Sequence, residues 1–322
     1  MIFAILSVLF ILLLLNQLYF HTGTFRREQW NLSQLSKMPQ GLECLTIGSG
    51  PALFAFDYQD SDVKGYNMAI WPEDFRYDER LLRQYHQVLS DGKRHVFHVV
   101  CLLSFAENDY LSKDTFSERY VHVLSPDQVD LPLWKYYLAK YLPICLHPLR
   151  VGKALLRIPL GRELPEDIIV EDGVGVDQHE RCQAIAKGWV ETNPGLNNLQ
   201  DVQGARFFQQ SFARNIQDIN KVYQTAQKLG VEYYAVITPS SRYMLDNIFS
   251  KEFLEKFLFD NLRQSDIPAN RLLNYLDDEE FSGLDCYTGG IFLNKASRKR
   301  FTQKVLHEVA IRESKNNGVC KE

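Results

Sequence analysis

Short apolar runs bounded by turn residues recur along most of this chain. Leu42 to Ile47, Gly65 to Ile70, His95 to Leu103, Val231 to Ile237 and Arg271 to Leu276 have the length and the β-branched or aromatic character of buried parallel strands. Between them the apolar spacing becomes helical. Asp78 to Leu89 places Leu81, Leu82, Tyr85, Val88 and Leu89 on one side, and Phe207 to Leu229 does the same with Phe212, Ile216, Ile219, Val222 and Ala226. Ser297 to Ile311 is a last helix, and Gly230 stops the one before it, ahead of the Val231 strand. Strands alternating with helices predict a three-layer α/β/α sandwich around a mainly parallel, five-stranded sheet.

Two stretches depart from this alternation. Ile2 to Leu15 is apolar apart from Ser7, and with Asn16 to Phe20 the run reaches the ~20 residues that span a bilayer core. No Lys or Arg precedes it and no small-x-small cleavage site follows it, so residues 1–20 read as an uncleaved single-pass membrane anchor rather than a signal peptide. Residues 21–41 then form a polar tether, 42–312 the α/β domain and 313–322 a polar tail. Arg26 and Arg27 after the helix would hold that flank in the cytoplasm. The second departure is residues 106–200, which contain no obvious sheet strand and are too long for a structureless loop. They read as a helical insertion plus an irregular segment. Within it, Leu131 to Leu160 combines Trp134, Tyr136, Tyr137 and Tyr141 with Lys135, Lys140, Arg150, Lys153 and Arg157. Such a stretch suits either a helical cap on the sheet or an element lying at a membrane surface.

Composition narrows the function. A chain of 322 residues with 45 % apolar content can bury a large core, and a net charge of −4 does not describe a polyanion binder, so nucleic acid is not an expected partner. Cys44, Cys101, Cys145, Cys182, Cys286 and Cys320 are scattered, with no C-x-x-C pair and no His at zinc-like spacing. Their even number permits disulfides, while buried thiols are the simpler reading. Asp177, His179 and Glu180 lie in a polar stretch and read as a solvated loop, and Gly173-Val174-Gly175 reads as a turn. No metal and no cofactor is expected.

The richest stretch is Leu45-Thr46-Ile47-Gly48-Ser49-Gly50-Pro51-Ala52-Leu53-Phe54-Ala55-Phe56-Asp57, an apolar strand running into a small-residue turn and a helix start. It resembles the first block of the SGNH/GDSL-type hydrolase-like proteins associated with bacterial surface polysaccharide genes, in which Gly-x-Ser-His follows the strand. Further matches are Tyr66-Asn67-Met68-Ala69-Ile70-Trp71-Pro72-Glu73, the strand ending at Ser104-Phe105, Thr238-Pro239 leading to Tyr243, and Phe292-Leu293-Asn294 with Phe301-Thr302. At the register of that family Gly50 stands for the nucleophilic Ser, Pro72 for a glycine oxyanion donor, Gly289 for the Asp and Phe292 for the His. Gly50 has no attacking group, Pro72 has no N–H to donate, and Gly289 and Phe292 handle no proton.

The resemblance therefore implies an SGNH/flavodoxin-like fold with no confident catalytic residue. It implies a membrane-anchored, catalytically silent protein with a binding or assembly role in surface or extracellular polysaccharide production, its domain extracytoplasmic. Ser49, Gly50, Asn67, Pro72, Ser104, Thr238, Tyr243 and Asn294 would line the ligand cleft. A glycan or lipid-linked saccharide and polysaccharide-assembly proteins would be the partners, with the membrane held through the N-terminal helix. The alternative is an active O-acyl esterase or acyltransferase on glycans with a relocated site, using Ser49 as nucleophile, Asp285 as acid and His98 or His307 as base. His95 and His98, three apart on one strand, face opposite ways and cannot chelate one ion.

Overall fold

The five apolar runs form one sheet. In a computed structural model of the chain, residues 2–29, 32–71, 74–92, 94–106, 114–162 and 177–319 are described. Strands β1 (Cys44–Ile47), β2 (Gly65–Asn67), β3 (His95–Val99), β4 (Glu232–Ile237) and β5 (Leu272–Asn274) lie in the order β2-β1-β3-β4-β5 with every neighbouring pair parallel. This is the doubly wound order, whose strand direction of growth reverses between β1 and β3. The helices used below are α1 (Ile2–Phe20), α2 (Phe75–Tyr85), α3 (Leu133–Tyr141), α4 (Pro148–Arg157), α5 (Gln178–Thr192), α6 (Gln209–Lys228), α7 (Arg242–Asn247) and α8 (Lys295–Val319). The chain divides into two compact units, one of Met1–Met38 with Tyr110–Val170 and one of Pro39–Asp109 with Glu171–Glu322.

In the sheet-bearing unit, alternation along the strands sorts side chains between two helical layers. Cys44, Phe97, Val99, Tyr234, Val236 and Leu273 share a core with Phe301, Val305 and Val309 of α8. Phe97 stacks on Phe56 at 5.5 Å, and Phe301 meets the same Phe56 ring edge-on at 5.5 Å. On the other face α2 packs along α6, and Thr225 of α6 donates to the Glu79 carboxylate of α2 at 2.9 Å. Asp74 starts α2 by accepting from Tyr77 N at 3.0 Å, and Gly230, in the left-handed region at φ +65°, follows the end of α6. Strand β3 ends before its apolar run does, because Ser104 N bonds Cys101 O and the Ser104 hydroxyl accepts from Cys101 N, turning the chain out of the sheet.

The two histidines of β3 do point to opposite layers. His95 lies flat on Phe97 and bonds Glu313 of α8. His98 is fully buried on the α2 side, with Nδ1 2.8 Å from the Tyr233 hydroxyl and Nε2 3.1 Å from the Asp78 carboxylate. A neutral imidazole fits both bonds: Nε2–H donates to Asp78 while Nδ1 accepts from Tyr233. The carboxylate sits where its burial is offset by a partner, a structural arrangement that fastens α2 to the sheet.

In the other unit, α1 does not become a membrane anchor. Among the described residues no helix is long and apolar enough to cross a membrane. The reason lies in the last turns of α1, which are committed to protein. Asn16 is buried, its Nδ2 donating to Tyr141 O at 2.7 Å and its Oδ1 accepting from Ile144 N, while Tyr19 packs with Ile144, Val151 and Ala154. The apolar run before Asn16 then falls short of the ~20 residues a bilayer core needs. The single-pass anchor, the membrane held through it and the extracytoplasmic placement are corrected accordingly.

His122 in this unit sits edge-on to Phe20 and Phe25, and burial, reinforced by the Lys140 charge, pushes its pKa down to about 4. Below the ordinary imidazole value near 6.5 the unfolded chain takes up a proton that the folded unit refuses. Stability is therefore unaffected by His122 above that value and falls steadily as the pH drops from about 6.5 to about 4. Urea midpoints measured across this window should decline, and His122→Leu should flatten the decline; an unchanged slope in the variant would contradict the assignment.

Candidate functional site

In an open parallel sheet, ligands bind outside the C-terminal strand ends near the point where strand order reverses. Here that rim is built from the turns after β1, β3 and β4 and from the segment preceding α8. Gly48 ends β1 at φ +126°, and a Cβ there would lie 2.8 Å from Val99 O. Only glycine lets the β1 turn close this tightly against β3. Ser49 takes the N-cap position of the helical turn Gly50–Leu53 without making a side-chain capping bond, and Pro51 supplies a ready-made helical φ.

The positions that the SGNH-like resemblance would give to reactive groups are filled by packing. A Cβ on Gly50 would meet the Trp71 indole at 2.8 Å. Phe292 packs its ring on Phe54 at 4.9 Å, and the Arg298 guanidinium lies over the other partner of that pair, Phe54. A Cβ on Gly289 would lie 2.6 Å from the Ile185 side chain of α5. Asp285 is exposed in the short 3-10 helix Leu284–Cys286, where its carbonyl accepts from Asn294 Nδ2 at 2.6 Å. His98 has both ring nitrogens engaged by Tyr233 and Asp78, and His307 is exposed on α8.

Several residues expected in the cleft act as fasteners of the rim. Asn67 donates to Ala52 O at 2.9 Å and Phe56 O at 3.0 Å and accepts from Ala69 N, tying the β1 turn to the end of β2. Ser104 closes the turn after β3, and Asn294 caps α8 by accepting from Ser297 N at 3.0 Å. Tyr243 lies against His179, ring centroids 4.4 Å apart, and accepts from Gln183 of α5. Pro72 and Gly173-Val174-Gly175 fall outside the described residues. Asp177, expected in a solvated loop with His179 and Glu180, instead caps α5 by accepting from His179 N at 2.8 Å.

Helix α5 roofs the rim. Its Arg181 donates to Thr288 O at 3.0 Å, Ile185 covers Gly289, and Cys182 sits over Gly290, where a Cβ would come within 2.5 Å of the sulfur and 2.7 Å of Met244. Burial pushes the Cys182 thiol up to about 11, so it stays protonated and serves as packing. Under the roof lies a cavity of about 20 Å³ walled by Pro51, Cys101, Leu102, Trp189, Pro239, Leu276 and Ile291, with Thr238 and Ser240 as its hydroxyl-bearing residues. Ser240 is 2 % exposed, and its hydroxyl meets no hydrogen-bond partner among the described residues. Its backbone N–H is satisfied by Leu276 O at 3.0 Å.

Of the residues expected in the cleft, Thr238 lines this cavity. Ser240, Cys101 and Trp189 were not anticipated. Ser240 follows the Thr238-Pro239 strand end by two residues and was within reach of the same reasoning, whereas Trp189 belongs to a helix that nothing local assigns to the rim. Among the described residues, no group of three or more His, Cys, Asp or Glu is placed to hold a metal ion.

No family model matches this chain, and no curated protein matches it. The SGNH/GDSL assignment therefore gains no support, and with it fall the role in polysaccharide production, the glycan or lipid-linked saccharide and assembly partners, and the relocated O-acyl esterase. The α/β domain itself stands, being read from the sheet.

Gly290, at φ +78°, is the tightest contact between rim and roof. Gly290→Ala should cost about 1–3 kcal/mol from backbone strain alone. It should also loosen α5, making Trp189 fluorescence more accessible to acrylamide. Wild-type urea stability and quenching in the variant would show that α5 is not seated on this glycine.

Proposed function

We propose that the sheet-bearing unit is a non-hydrolytic binding domain that takes a small, chiefly apolar molecule carrying one hydrogen-bonding group, received by Ser240. The observation that carries this reading is the buried Ser240 hydroxyl, which has no hydrogen-bond partner among the described residues, in the lining of a chiefly apolar cavity at the C-terminal rim of the sheet. A buried polar group left without a partner costs ~1–3 kcal/mol. A ligand carbonyl or hydroxyl at Ser240 would recover it. The cavity, about 20 Å³, admits one such group, while Trp189, Leu276 and Pro51 offer apolar surface to the rest of the molecule.

Hydrolysis is disfavoured on the same geometry. The indole of Trp71 stands over Gly50, Phe292 packs tilted against Phe54, and Ile185 closes over Gly289, which leaves packing contacts at all three positions. The reading contains no membrane anchor and no saccharide.

Thermal-shift and Trp-fluorescence titrations of the full chain with a panel of short alcohols, ketones and amides provide the test. Binders should stabilise the chain, and Ser240→Ala should weaken them by roughly tenfold, the worth of one well-made hydrogen bond. In the absence of ligand the same variant should be as stable as the wild type or about 1 kcal/mol more so. Loss of stability in Ser240→Ala would mean the hydroxyl is structurally engaged. Turnover of p-nitrophenyl acetate that disappears in Ser49→Ala would replace the binding domain by an enzyme.

A further inference from the structure

The unit of Met1–Met38 and Tyr110–Val170 carries a second candidate surface, independent of the cavity. Helices α3 and α4 follow one another through the short helix Pro143–Leu146, and each buries one side only. In α3 the buried residues are Tyr136 and Ala139; in α4 they are Val151 and Ala154. The outer side of α3 presents Trp134, Tyr137 and Tyr141 at i, i+3 and i+7, with the last two rings stacked at 6.3 Å. The outer side of α4, continued past its end, presents Leu149, Leu156 and Leu160. Trp134 is 63 % exposed and Leu149 80 %, far above what an isolated soluble surface usually leaves to water in one run.

Charge selects the occupant. From Leu131 to Arg162 the chain contains Lys135, Lys140, Arg150, Lys153, Arg157 and Arg162 and no Asp or Glu, within a protein whose overall charge is −4. Arg150 and Lys135 are drawn inward to Glu28 and Glu118, and Arg157 reaches Thr24. Lys153 and Arg162 are exposed, and Lys140 lies over the Tyr141 ring. Lys153 stands between Leu149 and Leu156 on the outer side of α4. Aromatic rings with polar tips, leucines and outward cations on the exposed sides of two adjoining helices are what the headgroup layer of an anionic lipid surface accommodates. A folded acidic protein would match the cations but would leave no reason for so many unpaired leucines.

We infer that the outer sides of α3 and α4 form a docking surface for anionic lipid, lying on the membrane rather than crossing it. The contact needs no spanning helix and makes no use of α1.

The test is flotation of the full chain with phosphatidylcholine vesicles with or without phosphatidylglycerol, at low and high salt. Binding should require the anionic lipid and weaken with salt. Lys153→Glu with Arg162→Glu, both exposed, should reduce binding more than tenfold. Trp134→Ser should reduce it separately while circular dichroism stays that of the wild type. Binding that ignores phosphatidylglycerol, or that survives both sets of substitutions, would overturn the inference, because another surface would then hold the lipid. So would equal binding to polyglutamate, which would make the patch a site for acidic polymers.

Discussion

Everything at the mouth of the sheet depends on how closely α5 lies on the Gly289-Gly290 turn. The separation there admits no Cβ: Ile185 and Cys182 occupy the space a side chain would need. A hydrolase needs that same space for groups that move protons to and from a substrate. With the helix seated there, the rim becomes a roofed, chiefly apolar cavity whose lining includes Thr238 and Ser240.

The rim also shows why residue identity at a strand end is a poor guide to role. Asn67 and Asn294 carry groups suited to binding a polar ligand, yet each spends its amide on main-chain atoms that would otherwise be orphaned where a strand ends or a helix begins. His98 is likewise consumed by Asp78 and Tyr233 on the far side of the sheet. Polar residues near a site are first claimed by the backbone's own hydrogen-bonding demands, and only what remains is available to a ligand.

The correction at the N-terminus follows from a related cause. Hydropathy alone treats Ile2 to Phe20 as one run, because Asn16 and Tyr19 are diluted among leucines. In the fold these two residues are the ones that bind: Asn16 joins the backbone at Tyr141 and Ile144, and Tyr19 joins the core of the same unit. A window average has no means of telling a polar residue that is tolerated from one that is bonded to a partner more than a hundred positions away.

The sequence by itself determined the sheet and its flanking helices. Short apolar runs, a helical 3.6 period and punctuating glycines are local properties, and β1 to β5, α2, α6 and α8 appear over the runs they marked, with α8 extending past Ile311 to Val319. Parallel pairing followed as well, since strands separated by helices have few other ways to bury both faces. What only the tertiary structure decided was which residues share the rim. Trp71 over Gly50, Phe54 under Phe292 and α5 above Gly290 are contacts between segments distant in sequence. They are set by the volume left after the layers pack, and a linear pattern carries no record of that volume.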